Sequence, residues 1–241
     1  MDRPLGKLYL IPTLLGDTAV ESVIPKGTLE VVREIRFFVV ENVRTARRML
    51  SRMSMPCPID ELEFVEIDKH HPQNPDFMTF LGPALEGRNI GLMSEAGVPC
   101  VADPGAYVVG LAHQAGIRVV PLVGPNAMTL ALMAAGFNGQ SFCFHGYLPI
   151  KGPERVNAIR SIERRSAQMN ETELFIETPF RNNAMLDAIL KTCHNNTEVC
   201  VACDLTTSEE TVVSKTVGEW KKTKYDFNKR PAVFLIYSCQ K

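Results

Sequence analysis

Short apolar runs alternate with longer segments of helical periodicity along most of the chain. This alternation is typical of strand–helix units around a mostly parallel sheet. In the first half the apolar runs predict strands and the segments between them predict helices. The predicted strands are Lys7 to Ile11, Phe37 to Glu41, Phe64 to Ile67, Asn89 to Met93 and Arg118 to Leu122. The predicted helices are Thr28 to Ile35, Arg44 to Met53, Pro75 to Glu86 and Gly105 to Ala115.

The second half predicts a different sheet. Its strands are Ser141 to His145, Glu173 to Glu177, Glu198 to Cys203, Thr211 to Val217 and Ala232 to Ser238, with helices near Glu154 to Gln168 and Phe180 to Cys193. Thr211 follows the preceding strand too closely for a crossover helix, so this sheet should be mixed and contain an antiparallel hairpin. Gly124-Pro125 predicts a turn before an apolar helix. We therefore expect an α/β fold with two lobes, residues 1–122 and 123–241.

Composition limits the class of protein. Hydrophobic residues make up 45% and charged residues 22% of the 241 residues, which is ordinary for a globular protein. No apolar run reaches the roughly 18 residues that a membrane helix needs. The first residues lack the basic start and apolar stretch of a secretion signal. We expect a soluble, cytoplasmic protein without a membrane partner.

The cysteines predict neither a disulfide framework nor a metal site. Seven cysteines spread over a long chain fit the reduced thiols of a cytosolic protein. Cys200 and Cys203 have the spacing of metal and redox pairs, but they lie in an apolar strand-like run without a second Cys/His pair at zinc spacing. No cluster of carboxylates or cysteines accompanies His70 and His71. We expect buried strand cysteines, a solvated histidine loop and no metal.

Charge is close to balanced overall but uneven along the chain. The net charge of −1 gives no sign of a nucleic-acid partner. Local clusters are solvated helix faces or contact surfaces, and both interpretations stay open. The basic clusters are Arg33, Arg36, Arg44, Arg47, Arg48 and Arg52, then Lys151, Arg155, Arg160, Arg164 and Arg165; the acidic stretch is Asp60, Glu61, Glu63, Glu66 and Asp68.

Several loops rich in small residues directly follow predicted strands. Neither G-x-G-x-x-G nor G-x-x-x-x-G-K-[ST] occurs, so a nucleotide-like ligand needs another kind of site. Open α/β sheets bind ligands at the carboxyl ends of their strands, and small residues let a ligand approach the backbone. The loops are Pro12 to Asp17, Ser94 to Pro99 with Asp103 to Gly105, Gly124 to Ala127, and Glu177 to Arg181. Each alone could be an ordinary turn, but together they favour a binding site.

These loops belong to an ordered set of sequence blocks that covers nearly the whole chain. The blocks are Leu8 to Thr13, Glu41 to Arg44, Ser94 to Pro99 with Asp103 to Gly105, Ala115 to Pro121, Gly124-Pro125, Gly146 to Pro149 and Glu177 to Arg181. The set resembles the tetrapyrrole methylase superfamily, most closely its RsmI-like small-subunit ribosomal RNA (cytidine-2′-O)-methyltransferases.

The resemblance implies two α/β lobes, S-adenosylmethionine folded in a cleft between them, and a homodimer. The residues implied to contact the cofactor are Pro12, Ser94, Glu95, Ala96, Gly97, Val98, Pro99, Asn126, Ala127, Thr178, Pro231 and Ala232.

The chain departs from the RsmI-like pattern at polar positions. Where RsmI-like chains read Glu-Asp-Thr-Arg, this chain reads Glu-Asn-Val-Arg at Glu41 to Arg44. Where they read Ser-Asp-Ala-Gly-Thr-Pro, it reads Ser-Glu-Ala-Gly-Val-Pro at Ser94 to Pro99. The family's Glu-Gly-Phe-Leu-Pro appears here as His-Gly-Tyr-Leu-Pro, which starts at His145. Its Arg-Glu-Leu-Thr-Lys appears as Cys-Asp-Leu-Thr-Thr, at Cys203 to Thr207. The cofactor loops keep their form while polar residues that could touch RNA change. The resemblance therefore supports the cofactor more strongly than the substrate.

Methyl transfer from a sulfonium is an in-line displacement, so the protein must chiefly align the acceptor with the methyl group and exclude water. A ribose hydroxyl is a poor nucleophile until its proton is accepted. Conceivable bases and phosphate anchors are Glu41, Glu95 and Glu177, and Arg44 and Arg181. Glu177 and Arg181 could equally form only a local ion pair.

Three functions stay open. The leading hypothesis is an S-adenosylmethionine-dependent methyltransferase that 2′-O-methylates a cytidine ribose in small-subunit (16S) rRNA. Its phosphate contacts would be Arg44, Arg47, Arg48, Lys151 and Arg155. The alternatives are a methyltransferase for a tetrapyrrole or other small molecule, which would have a deep apolar acceptor pocket, and a catalytically silent RNA-binding or ribosome-assembly protein, which would not bind the cofactor.

Overall fold

The computed structural model describes residues 4–67 and 77–238. The chain divides into two compact units, Met1–Asn126 and Ala127–Lys241. The division falls after Asn126, whereas the sequence pattern places it after Leu122. The extra residues stay with the first unit because Gly124 packs directly against Pro12.

The first unit contains one five-stranded sheet. Its strands run in the order β3-β2-β4-β1-β5, and each neighbouring pair is parallel. This arrangement confirms the predicted parallel sheet. A 3-10 turn at Ile59–Glu61 precedes the third strand. The elements are β1 (Lys7–Ile11), α1 (Val20–Val23), α2 (Lys26–Glu34), β2 (Phe37–Val40), α3 (Val43–Arg52), β3 (Glu63–Glu66), α4 (Phe77–Leu85), β4 (Ile90–Met93), α5 (Ala106–Gln114) and β5 (Arg118–Pro121).

The core of the first unit lies on both faces of this sheet. Strands β2 and β4 are buried along their whole length, as expected of central parallel strands that are covered on both sides. One apolar cluster includes Phe38 and Leu50, and the other includes Val39 and Leu81. Phe38 and Val39, neighbours in β2, therefore pack into different clusters, because successive side chains of a strand point to opposite faces of the sheet.

The second unit contains a mixed five-stranded sheet in the order β6-β7-β10-β8-β9. Strands β6 and β7 pair in parallel, whereas β7 with β10, β10 with β8, and β8 with β9 pair antiparallel. The hairpin of β8 and β9 confirms the prediction of a mixed sheet. The elements are α6 (Ala127–Ala135), β6 (Phe142–Tyr147), α7 (Gly152–Met169), β7 (Thr172–Glu177), α8 (Asn182–Thr192), β8 (Glu198–Cys203), β9 (Thr211–Thr216), α9 (Val217–Trp220) and β10 (Ala232–Tyr237).

Aromatic rings and one buried indole organise the core of the second unit. Phe175 and Phe234 stack across β7 and β10 with ring centroids 5.5 Å apart. Trp220 is buried, and its Nε1 donates a hydrogen bond of 2.9 Å to the carbonyl oxygen of Val199. Because that bond satisfies the indole N–H, the largest side chain of the protein can be buried without an unpaired polar group.

Local capping shifts several predicted boundaries. The strand predicted to reach Val217 ends at Thr216, because Thr216 and Glu219 form a capping box that starts α9. The helix predicted from Phe180 begins at Asn182, after a 3-10 turn. The sequence pattern misses α1 and α9, since helices of four residues are too short to show a period.

Some predictions fall on residues that the structure does not describe. They are the first two residues of the predicted helix Pro75 to Glu86, the acidic Asp68, and the histidines His70 and His71. Within residues 4–67 and 77–238, no helix has both the length and the apolar character needed to cross a membrane.

Candidate active site

The loops after β1, β2 and β4 meet at the carboxyl edge of the first sheet. The Thr13 N–H donates to the Gly97 carbonyl oxygen at 2.8 Å, and the Thr13 hydroxyl reaches the same oxygen at 3.3 Å. The Glu95 N–H donates to Oε2 of Glu41 at 3.1 Å. Parallel strands place their carboxyl ends at one edge, and these bonds tie the three loops into one surface there.

The loop after β5 joins the same surface through a close approach of backbone and ring. A Cβ at Gly124 would lie 2.3 Å from both Cβ and Cγ of Pro12, so only glycine fits. Gly97 has a φ of +73°, and a Cβ there would lie 3.1 Å from Leu15 and 3.5 Å from the Pro125 carbonyl oxygen. The predicted glycines are therefore required by packing between loops.

The loop after β4 carries a run of left-handed backbone. Gly97 and Gly105 have φ values of +73° and +124°, and the non-glycine residues Cys100 and Ala102 have +70° and +64°. Such conformations are uncommon outside glycine and cluster at ligand-binding sites, where backbone groups turn toward the ligand. Among the residues described, the buried Ser94 hydroxyl finds no hydrogen-bond partner. A buried hydroxyl of this kind indicates a ligand or a water molecule that completes it.

The predicted cofactor residues of the first unit differ in exposure. Ser94, Gly97, Pro99 and Pro12 are buried, Val98 and Asn126 are half-buried, and Glu95 and Ala96 are exposed at the tip of the loop.

Glu41 and Glu95 both hold loops together. Glu41 accepts the backbone N–H of Glu95, and Oε1 of Glu95 accepts the Thr45 hydroxyl at 3.3 Å. Asn42 caps α3 by accepting the Thr45 N–H at 3.1 Å. These contacts favour a positioning role for the two carboxylates over proton acceptance. Arg44, in the first turn of α3, is exposed.

In the second unit, the predicted residues Thr178, Pro231 and Ala232 lie at one edge of the mixed sheet, whereas Ala127 is the first residue of α6. Ala232 of β10 lies opposite Glu177 on one side and Cys203 on the other. Thr178 directly follows Glu177, and Pro231 directly precedes Ala232. Although these positions are more than fifty residues apart in sequence, antiparallel pairing of β7 and β10 makes them neighbours.

An ion pair between a buried carboxylate, Glu177, and a half-buried guanidinium, Arg181, lies at this edge. Glu177 is 5% exposed, and its Oε1 accepts the Thr178 N–H at 2.6 Å and the Nε and Nη2 of Arg181 at 2.9 and 2.6 Å. The hydrogen bond to Glu177 raises the pKa of Arg181 above its ordinary value. Oε2 of Glu177 is buried and has no hydrogen-bond partner in the described parts of the chain. The local ion pair exists, and one carboxylate oxygen remains for another donor.

Sequence reasoning missed two residues that hold this edge, Asn182 and Arg230. The Asn182 amide donates to the carbonyl oxygens of Phe227 at 3.0 Å and of Arg230 at 2.6 Å. The Arg230 guanidinium pairs with Asp204 and donates to the Glu209 carbonyl oxygen at 2.7 Å. Asn182 directly follows a recognised block, which was an available signal, but no local pattern connects Arg230 with Asp204.

Residues 30–221 match the family described as Tetrapyrrole (Corrin/Porphyrin) Methylases. The chain belongs to this family. It is therefore an S-adenosylmethionine-dependent methyltransferase. The family assignment and the two sheets confirm the predicted fold class.

Curated relatives resemble this methyltransferase over most of their length. The chain is 32% identical over 238 residues to the "Ribosomal RNA small subunit methyltransferase I" of Escherichia coli O157:H7, with 98% of this chain and 79% of that protein covered. The protein of the same name from Vibrio cholerae serotype O1 is 31% identical over 212 residues, with 88% of this chain and 69% of that protein covered.

A solved structure described as "Crystal structure of the methyltransferase CobJ" has the same fold. It superposes with a TM-score of 0.60 at 18% identity and covers 97% of this methyltransferase and 94% of its own chain.

The basic residues of α3 in this methyltransferase have different surroundings. Arg44 and Arg48 are exposed. Arg47 pairs with Asp60 at 2.8 Å and lies over the ring of Phe64, 5.6 Å from its centroid. Arg47 therefore binds groups of its own unit, and so does Arg52, whose Nη1 lies 3.1 Å from Oδ1 of Asp17. Arg44 and Arg48 present their charge to solvent.

The two predicted phosphate contacts of the second cluster, Lys151 and Arg155, lie at the start of α7 in the methyltransferase. Lys151 is exposed and directly precedes the helix. Arg155 is half-buried, and its Nη1 donates to the Ile150 carbonyl oxygen at 3.0 Å. Of these two residues, Lys151 is therefore the one that presents its charge more fully to solvent.

Cys200 and Cys203 of the methyltransferase are free thiols inside β8. Both are buried, and desolvation raises the pKa of Cys200 to about 11 and that of Cys203 to about 12. A redox pair needs a thiolate with a lowered pKa. The structure thus agrees with the prediction of buried strand cysteines.

Proposed function

We propose that this methyltransferase transfers the methyl group of S-adenosylmethionine to the 2′-hydroxyl of a cytidine in small-subunit (16S) rRNA. The observation that carries the proposal is the 32% identity to a "Ribosomal RNA small subunit methyltransferase I" across 98% of the chain. The matched region spans nearly the whole chain and therefore both units. The RsmI-like sequence blocks support the ribose as the acceptor.

S-adenosylmethionine fits the chemistry of the loops at the edge of the first sheet. The buried Ser94 hydroxyl has no hydrogen-bond partner among the described residues, and Gly97 and Ala102 have positive φ values, which turn their backbone groups out of the usual orientation. A zwitterionic, adenine-bearing ligand can use such backbone donors and acceptors. We propose contacts to Pro12, Ser94 to Pro99 and Asn126, and in the second unit to Ala127, Thr178, Pro231 and Ala232.

When bound, S-adenosylmethionine supplies an electrophilic methyl group. The chain must then hold the ribose hydroxyl in line with that group and remove its proton. We propose Glu177 as the proton acceptor, because its Oε2 is buried and without a partner among the described residues, whereas Glu41 and Glu95 hold loops. Arg181 then acts as the residue that orients Glu177.

RNA would meet the exposed basic residues. Arg44, Arg48 and Lys151 present charge to solvent, and we propose that they contact phosphates. Arg47 and Arg155 stay predicted phosphate contacts of lower weight, because each already binds a group of its own unit. A homodimer and a cytoplasmic location, where small ribosomal subunits reside, remain parts of the proposal.

Methyl transfer to defined acceptors tests the proposal. Small ribosomal subunits from cells that lack this protein are incubated with labelled S-adenosylmethionine, and the modified nucleotide is mapped by mass spectrometry. We expect stoichiometric labelling of one cytidine ribose. Cofactor binding without transfer to the subunit would contradict the rRNA assignment and favour a small-molecule acceptor. Failure to bind the cofactor would favour a silent RNA-binding protein.

A further inference from the structure

Three side chains with metal-ligand chemistry gather on one face of β6 and β7. Cys143 and His145 are two residues apart on β6, so they share a face of the sheet. Cys143 lies opposite Glu173 in the parallel ladder. One ligand atom from each residue, a thiol sulfur, an imidazole nitrogen and a carboxylate oxygen, lies within 4.8 Å of the other two.

Glu173 places a buried carboxylate in this group of three side chains, and one of its oxygens lacks a hydrogen-bond partner among the described residues. Its side chain is fully buried, and its Oε2 contacts Nε2 of His145. Its Oε1 has no hydrogen-bond partner in the residues described. Nε of Arg165 is 3.6 Å from that oxygen, but it binds Oε1 of Glu171 more closely, at 2.5 Å. A buried carboxylate oxygen is costly unless a donor or a cation completes it.

We propose that Cys143, His145 and Glu173 bind a Zn²⁺ ion. Thiolate, imidazole and carboxylate are the ligands that zinc takes in proteins, and a borderline-soft ion suits a set that contains sulfur. The Cys143 proton leaves to solvent when the sulfur binds, and the His145–Glu173 hydrogen bond is replaced by two metal bonds. Three protein ligands leave the fourth tetrahedral position to water.

The geometry needs only a small adjustment. Zinc bonds of roughly 2.0–2.3 Å in a tetrahedral arrangement place the ligand atoms about 3.3–3.8 Å apart. The ligand atoms already lie within 4.8 Å of one another. His145 is partly exposed, with 22% of its side chain open to solvent, so an ion can reach the site from the surface.

Strand pairing explains why the sequence predicts no metal here. Cys143 and His145 have no partner nearby in the chain, and Glu173 follows after an eighteen-residue helix. Only the pairing of β6 with β7 makes them neighbours. His145 also stands where the RsmI-like pattern has glutamate, so the proposed site belongs to this chain and not to that pattern. Because β6 is an edge strand, the ion would clip it to β7.

Metal titration of the full chain tests the proposal. Zinc content is measured by mass spectrometry after dialysis against a zinc buffer, and Co²⁺ is titrated as a spectroscopic probe. We expect one zinc ion per chain and a thiolate-to-cobalt charge-transfer band. Cys143→Ser should abolish the band, and His145→Gln should weaken binding by at least about tenfold. Cys57→Ser, which changes another half-buried cysteine in the first unit, should change neither.

A variant of Arg165 tests the alternative that Arg165 and His145 alone balance the charge of Glu173 and that no metal binds. Arg165→Gln removes a positive charge beside Glu173, so it should tighten zinc binding. Zinc should raise the melting temperature of the wild type and not that of Cys143→Ser, whose fold is checked by circular dichroism. Absence of retained zinc in the wild type, unchanged binding by Cys143→Ser, or weaker binding by Arg165→Gln would overturn the proposal.

Discussion

Replacing Gly124 with alanine tests whether the loops of the first unit are locked together by packing. A Cβ at this position would lie 2.3 Å from Cβ and Cγ of Pro12. Ordinary carbon contacts begin at about 3.5 Å, so the loops after β1 and β5 must separate by more than about 1 Å. The proline ring cannot rotate away, because its φ is fixed and its ring is rigid.

The expected cost follows from this overlap. Inserting a methyl group into a packed site costs about 1–3 kcal/mol, and we expect the upper half of that range because a rigid ring meets backbone. The displaced loops are those proposed to bind S-adenosylmethionine. A shift of about 1 Å can reduce a rate about a hundredfold, so Gly124→Ala should also lower cofactor affinity and methyl transfer strongly.

Urea unfolding and isothermal titration with S-adenosylmethionine measure the two effects. Gly110→Ala is the matched control, because Gly110 lies within α5 and a Cβ there would meet nothing within 4 Å. Alanine in a helix is more favourable than glycine by about 0.5–1 kcal/mol, so this control should gain stability and keep its affinity. Gly124→Ala with a wild-type unfolding midpoint and wild-type affinity would refute the packing argument.

Three further predictions concern the proton acceptor, the basic surface and the buried thiols. Glu177→Gln should lower kcat by about 10²-fold or more with an unchanged cofactor dissociation constant; near-wild-type turnover would remove Glu177 from the reaction. Arg44→Ala should reduce the slope of RNA affinity against salt by close to one unit and Arg47→Ala much less, so equal slopes would contradict their different roles. Burial raises the pKa of Cys203 to about 12 from 9.0, so its stabilising contribution is full below pH 9 and lost toward pH 12. The urea midpoint of the wild type should therefore fall more steeply over that range than that of Cys203→Ala, and parallel curves would rule out this linkage.

Most of the fold was predictable because its signals are local. Strands β1 and β8 match their predicted ranges to the residue, since an apolar run with clear polar ends defines a strand without reference to its partners. The segment after β9 was less predictable. There a side-chain cap between Thr216 and Glu219 converts the end of the expected strand into a helix, and such competition is decided by a few hydrogen bonds.

The candidate site was predictable at the level of loops, because glycines and prolines that directly follow parallel strands must lie at one edge of the sheet. Individual roles were not. The sequence offered Glu41, Glu95 and Glu177 as equal candidates for the proton acceptor. The structure separates them, because two of the carboxylates hold loops and the third keeps a buried oxygen without a partner among the described residues.

The sequence by itself determined the two sheets, most element positions and the loops that carry the site, since these depend on periodicity and on residues close together in the chain. Only the tertiary structure decided which strands are neighbours. It places β1 between β4 and β5, joins Arg230 to Asp204, and brings Glu173 beside Cys143 and His145. Contacts between distant segments are chosen by the packing of whole elements, and no local pattern of residues encodes them.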